Sequence, residues 1–202
     1  MDEIKHKVFI SFYHEDDQCY KNELASFAEE NGIFIDCSVA TGDIDENLED
    51  EKIREIIRDE YLKDTSVTIL LVGQNTRYRK HVDWELYSSM YDGKKNKKSG
   101  ILVINLPSID CKYHRLCSPE EKSAILPNKK WITINSRAEY ERRYPYMPNR
   151  IIDNLMKSGV NISIVNWDDL NVTNLRLLVD KAYESRRTNN YNMTRPMRKR
   201  NN

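Results

Sequence analysis

SVTILLVGQNTRYRKHVDWELYSSM, residues 66–90, joins two patterns of different period. Its first eight residues are aliphatic and β-branched and close on Gly73, which predicts a strand buried on both faces. The polar loop QNTRYRK follows, and beyond it Val82, Leu86 and Met90 recur at helical spacing. Glu85 falls on the margin of that apolar stripe, beside Tyr78 and Ser89. A buried strand, a polar loop and an amphipathic helix form the repeating unit of a parallel α/β sheet.

The same alternation extends in both directions. Upstream, HKVFISF (6–12) predicts a strand, residues 16–31 a helix ended near Gly32, and IFID (33–36) a short strand. In EDEKIREIIRDEYL, residues Ile53, Ile56, Ile57 and Tyr61 share one helical face. Downstream, ILVINL (101–106) predicts a fourth strand and KWITIN (130–135) a last one, with helices near 148–158 and 171–187. The expected organisation is an α/β sheet domain over 1–135, a helical extension over 136–185 packed on it, and a tail over 186–202. That tail holds six basic residues, five asparagines and no acid, the composition of a disordered, solvated end. The Tyr- and Arg-rich stretch AEYERRYPYMPNR (138–150) suits either an interface or an exposed helix laced with ion pairs.

Lys plus Arg and Asp plus Glu are both 32, so the chain as a whole offers no attraction to nucleic acid or to an anionic membrane. No apolar run reaches the roughly 20 residues that span a bilayer. The start MDEIKHK lacks a signal-type apolar core, and a cytoplasmic protein with reduced cysteines is expected. Cys111, His114 and Cys117 offer three metal ligands where a closed zinc site needs four, so no metal is expected.

Three segments carry a resemblance. HKVFISFYHEDD, the loop CSVATGDIDEN and the stretch from Ser66 to Met90 together resemble a TIR domain, specifically the TIR-like family represented by the B component of bacterial Thoeris anti-phage systems. The resemblance spans about residues 5–106 and implies a TIR/flavodoxin-like open parallel sheet with helices on both faces. It also implies that Glu85, on the helix after the third strand, is the catalytic glutamate that splits the nicotinamide–ribose bond of NAD. Many TIR domains carry a tryptophan four residues before that glutamate, where this chain has His81. Trp84 matches the Trp-Glu pair of the TIR-like subfamily.

The chemistry suits one carboxylate. Cleaving an N-glycosidic bond develops positive charge on the ribose, as in glycoside hydrolysis, and a fixed carboxylate stabilises it. The nicotinamide ring of NAD is already cationic and needs no proton to depart. Ser11, Phe12, Tyr13 and His14 are expected around the substrate, with Phe12 equally readable as a core residue. Asp16 and Asp17 read as first-turn acids of a helix. Asp36, Ser38 and Gly42 lie in the loop expected to border the substrate, although Gly42-Asp43 is also a plain turn signal. Gln74, Asn75 and Thr76 either bind ribose or phosphate oxygens or cap a helix.

NAD is thus expected as substrate, with no cofactor. Water, an internal hydroxyl or a foreign nucleophile would give ADP-ribose, a cyclic isomer or a conjugate, and the resemblance implies a diffusible signal that activates a separate effector. Self-association and a phage-derived trigger are expected partners; nucleic acid and membrane are not. Neither phosphate-loop motif, G-x-x-x-x-G-K-[ST] or G-x-G-x-x-G, is present. A receiver domain would need an aspartate where Gly73-Gln74 ends the third strand. The competing class is a TIR-like interaction module without catalysis.

Overall fold

A computed structural model describes residues 5–38, 48–94 and 96–201. Strands β1 (His6–Ser11), β2 (Phe34–Asp36), β3 (Val67–Val72), β4 (Gly100–Asn105) and β5 (Ser163–Asn166) form one sheet in the order β2-β1-β3-β4-β5. Every pairing is parallel. The helices are α1 (His14–Glu30), α2 (Asp50–Ile56, continued by a π-helical turn to Tyr61), α3 (Lys80–Met90), α4 (Pro119–Ile125), α5 (Arg137–Arg143), α6 (Asn149–Leu155) and α7 (Val172–Ser185). Among the described residues no helix is long and apolar enough to cross a membrane.

The period of two along β3 divides the core. Ile69 and Leu71 join Leu24 and Ala28 of α1 and Leu175, Leu178 and Val179 of α7. Leu70 and Val72 face the other way, toward Val82, Leu86 and Met90 of α3 and Ile151 and Ile152 of α6. Helices therefore cover both faces, as the expected fold class requires. A Cβ on Gly100 would stand 1.8 Å from the Ala182 carbonyl oxygen, so only glycine lets α7 lie this close to β4.

β1 is adjacent to β2 on one side and β3 on the other, and the chain crosses the sheet between them. In open α/β sheets ligands usually bind at such a switch of direction, in the crevice beyond the carboxyl ends of the strands, here β1 and β3.

Two expectations are corrected. KWITIN (130–135) forms no strand; the fifth strand is β5, drawn from the stretch expected to be a helical extension. NISIVN supplies Ile162, Ile164 and Val165, all buried, whereas Ile132 at the centre of KWITIN is 64% exposed. Residues 186–201 are not a solvated end either. Asn189, Tyr191 and Met197 are buried, and Met197 joins Phe9, Ile53, Ile57, Leu62 and Trp84 in a third apolar cluster. The Tyr- and Arg-rich stretch carries the ion pairs of an exposed helix, Arg142 and Arg143 with Glu139, yet buries Tyr140, Tyr144 and Met147 against α3 and α6.

Candidate active site

The alternation of β1 sets the site. Val8, Ile10 and Phe12 point toward α1 and α7, so Phe9 and Ser11 point toward α3. Ser11 is fully buried, and its Oγ donates to Glu85 Oε2 at 2.6 Å. Glu85 is 3% exposed and so lies deeper than the margin of the stripe on which its spacing put it. Nearly every residue from Val82 to Met90 is buried, because α2, α6 and the C-terminal segment enclose the outer sides of α3. Trp84 Nε1 donates to the Arg198 carbonyl at 2.8 Å, and Asn201 Oδ1 accepts from the Lys80 amide at 2.8 Å. The segment 195–201 thereby fastens the helix that carries Glu85.

On the opposite side of the same edge, Asp17 in the first turns of α1 is also 3% exposed. Its carboxylate lies over Gly73, where a Cβ would come within 2.5 Å of Asp17 Oδ1. The missing side chain at the end of β3 is what makes room for it. Burial, reinforced by repulsion from Asp16, pushes the Asp17 carboxyl up to about 6, and a hydrogen bond with the Thr76 hydroxyl opposes the rise. The spacing had marked Asp17 only as a first-turn acid, since nothing local to α1 reveals that β3 ends beneath it.

The family model for Thoeris protein ThsB, TIR-like domain, matches residues 9–110, just over half of the chain. The chain belongs to the Thoeris ThsB TIR-like family. A comparison with curated proteins finds no match. The matched segment of this TIR-like domain contains the second half of β1, β2 to β4, α1 to α3, and the buried Asp17 and Glu85.

The structure distributes the other expected residues of the TIR-like site unevenly. Phe12 is in the core and stacks on His14 at 4.2 Å between ring centres. His14 is exposed, and desolvation followed by the charge of Lys21 lowers its basicity. Tyr13 lies beneath the Arg79 guanidinium, 3.6 Å from ring centre to carbon, and gives its hydroxyl hydrogen to Glu15. That hydrogen bond, more than desolvation, raises the phenol pKa. Arg79 thus joins the start of α3 to the β1–α1 turn, a link the sequence reading missed.

Asp36 and Ser38 satisfy one another. Ser38 donates its amide and hydroxyl to Asp36 Oδ1, Lys21 pairs with Oδ2 at 2.8 Å, and Ser38 Oγ accepts the Ile10 amide at 2.8 Å. They anchor the start of a loop to β1; Gly42 lies outside the described residues. Gln74 reaches the Ser108 carbonyl, Asn75 reaches Asp16, and the Thr76 hydroxyl accepts the Gly73 amide. Thr76 therefore serves the turn at the end of β3. His81 meets Trp84 edge to face at 5.0 Å, and Trp84 is buried with Phe9 and Met197. The arrangement brings two buried carboxylates, Glu85 bonded by the Ser11 hydroxyl and Asp17 over Gly73, to the sheet edge where β1 and β3 end.

Proposed function

We propose that this TIR-like domain cleaves the nicotinamide–ribose bond of NAD and releases an ADP-ribose product, cyclic or conjugated, that signals to a separate effector in anti-phage defence. The observation that carries the reading is the Ser11–Glu85 hydrogen bond at the β1–β3 crevice. Family membership supports it, and so does the chemistry of a carboxylate held in a low-dielectric wall.

In this mechanism NAD enters with its nicotinamide ribose against Glu85. As the C–N bond lengthens, the bonding pair leaves with neutral nicotinamide and positive charge spreads over the anomeric carbon and ring oxygen. The Glu85 carboxylate attracts that charge more strongly than it attracts the ground state, which lowers the barrier. Ser11 holds Oε2, so little reorganisation is needed when the charge appears. Water or another hydroxyl then captures the ribosyl cation. NAD is the substrate and no further cofactor is required. The cell interior, where NAD is available, is the setting this reading implies, and a phage-derived trigger and self-association belong to the same proposal.

A second reading is a non-catalytic interaction module, and the depth of Glu85 favours it. A carboxylate that is 3% exposed and already hydrogen-bonded is also what a purely structural role would produce. Mass spectrometry of NAD-supplied lysates separates the two. Cells expressing the wild-type chain, with phage challenge, should accumulate nicotinamide and an ADP-ribose derivative, and the Glu85→Gln chain, equally folded, should not. Equal accumulation in both would remove the mechanism; none in either would favour the interaction module.

A further inference from the structure

The family match ends at residue 110, and a cavity rich in basic residues lies beyond it. A cavity of about 780 Å³ is walled entirely by residues between 112 and 161. Seven of its 23 lining residues are Lys or Arg, and none is Asp or Glu. In a chain of zero formal charge this separation is a local construction. The cavity lies outside β5, whose outer edge is met by an antiparallel bridge from Arg115 to Ile164. β5 is three strands from β1, about 14 Å at normal strand spacing, so the cavity is separate from the Ser11–Glu85 crevice.

Some of these cations have structural employment. Arg115 donates to the carbonyls of Val160 and Ile162, Arg143 is held by Glu139, and Lys157 reaches the Tyr191 carbonyl. Exposed Lys112 pairs with Asp110 outside the cluster, whereas Lys122 and Lys129 converge. Lys122 and Lys129 place their ammoniums 5.5 and 5.4 Å from the centre of the Trp131 ring. Lys129 also lies 3.1 Å from His114 Nδ1, while His114 Nε2 faces Asp169 at 2.8 Å. That geometry puts the imidazole proton on Nε2 and makes Nδ1 the acceptor. Exposed Lys130 follows directly in the chain. Burial depresses the Lys129 pKa, so its ammonium gains from any anion that arrives.

We infer that this cavity binds a polyphosphate group, free or carried on a nucleotide. Its volume is within the usual range for small-ligand sites, roughly 300 to 1,000 Å³. Clustered ammoniums match phosphates linked in a short chain, whereas alternate acidic residues of an extended peptide are about 7 Å apart. Trp131 holds the two lysines over one ring, with the indole face as the attractive surface.

Isothermal titration of the full chain with tripolyphosphate and, separately, with ATP tests the site at low salt. Saturable binding is expected, weakened roughly tenfold or more in a Lys122→Ala/Lys129→Ala chain and less strongly in Lys130→Glu, whose exposed side chain leaves folding untouched. The Glu85→Gln chain should bind as the wild type does, whether or not NAD is cleaved. ATP binding more tightly than tripolyphosphate would identify a nucleotide as the carrier; equal affinity would identify the phosphate chain alone. No heat from either probe, equal binding by the lysine variants, or equal binding of a hexaglutamate peptide would overturn the inference.

Discussion

Arg150 grips Asp83 with two parallel hydrogen bonds, Nε to Oδ1 at 2.9 Å and Nη2 to Oδ2 at 2.8 Å, and is itself wholly buried. The same guanidinium donates to the carbonyls of Arg195 and Pro196, and Asp83 accepts the Arg198 amide. One ion pair thus ties α6, α3 and the C-terminal segment together. Asp83 lies two residues before Glu85, so the pair fixes the helix that presents the candidate catalytic carboxylate.

Breaking that pair from one side leaves a buried charge without its counter-ion, which typically costs about 3–5 kcal/mol. Arg150→Met is expected to lose about that much in urea unfolding, and limited proteolysis should then cut within 190–201 before the rest of the chain. A variant as stable as the wild type, with its C-terminal segment still protected, would contradict this role.

Replacing Ser11 by alanine removes the hydroxyl that holds Glu85 Oε2. If Glu85 acts as proposed, nicotinamide release should fall roughly 10- to 100-fold in kcat with little change in KM, since orientation matters most at the transition state. Ser11→Thr, which keeps a hydroxyl, should recover part of the rate. Chromatographic measurement of released nicotinamide decides the matter.

Asp17 predicts an unusual pH profile. Its carboxyl titrates near 6 in the folded chain against 3.8 for the free side chain. Below the lower value both states are protonated and Asp17 has no pH-dependent effect. Between about 4 and 6 the unfolded chain releases its proton first, so stability falls as pH rises and levels off above the folded pKa. The loss is at most about 3 kcal/mol. Asp17→Asn cannot ionise, so its stability relative to wild type should rise from pH 4 to pH 7.5. Parallel unfolding curves at both values test it; a constant difference would mean that folding leaves the titration of this carboxyl unchanged.

Met197 fills a space among Phe9, Ile53, Ile57, Leu62 and Trp84. Met197→Ala should cost about 2–5 kcal/mol by transfer and cavity terms together. Tryptophan fluorescence should also shift, because Trp84 loses a neighbour. A cost below about 0.5 kcal/mol, the range of ordinary surface changes, would show that the segment does not pack there in solution.

Much of the sheet is legible in the sequence because β3 and β4 are continuous apolar runs that nothing but a doubly covered strand accommodates. β5 was missed because four residues, SIVN, carry little signal of their own, while KWITIN has strand composition without a partner. The helical wheel placed Glu85 on the right helix but too near the surface. Its burial comes from α2, α6 and the C-terminal segment, all distant along the chain, and a local period cannot register them. Asp17 was passed over for the same reason, since its environment is made by the missing side chain of Gly73.

The strand that closes the sheet and the segment that fastens α3 both come from residues 163–201. During synthesis, β4 must therefore wait as an exposed edge until residues 163–166 have left the ribosome, and such edges invite pairing with other chains. A product that stops short of residue 195 would retain Glu85 but lack the bonds that Arg198 and Asn201 make to its helix. If Glu85 acts as proposed, such a product would carry the carboxylate on a helix that nothing at this end holds in place.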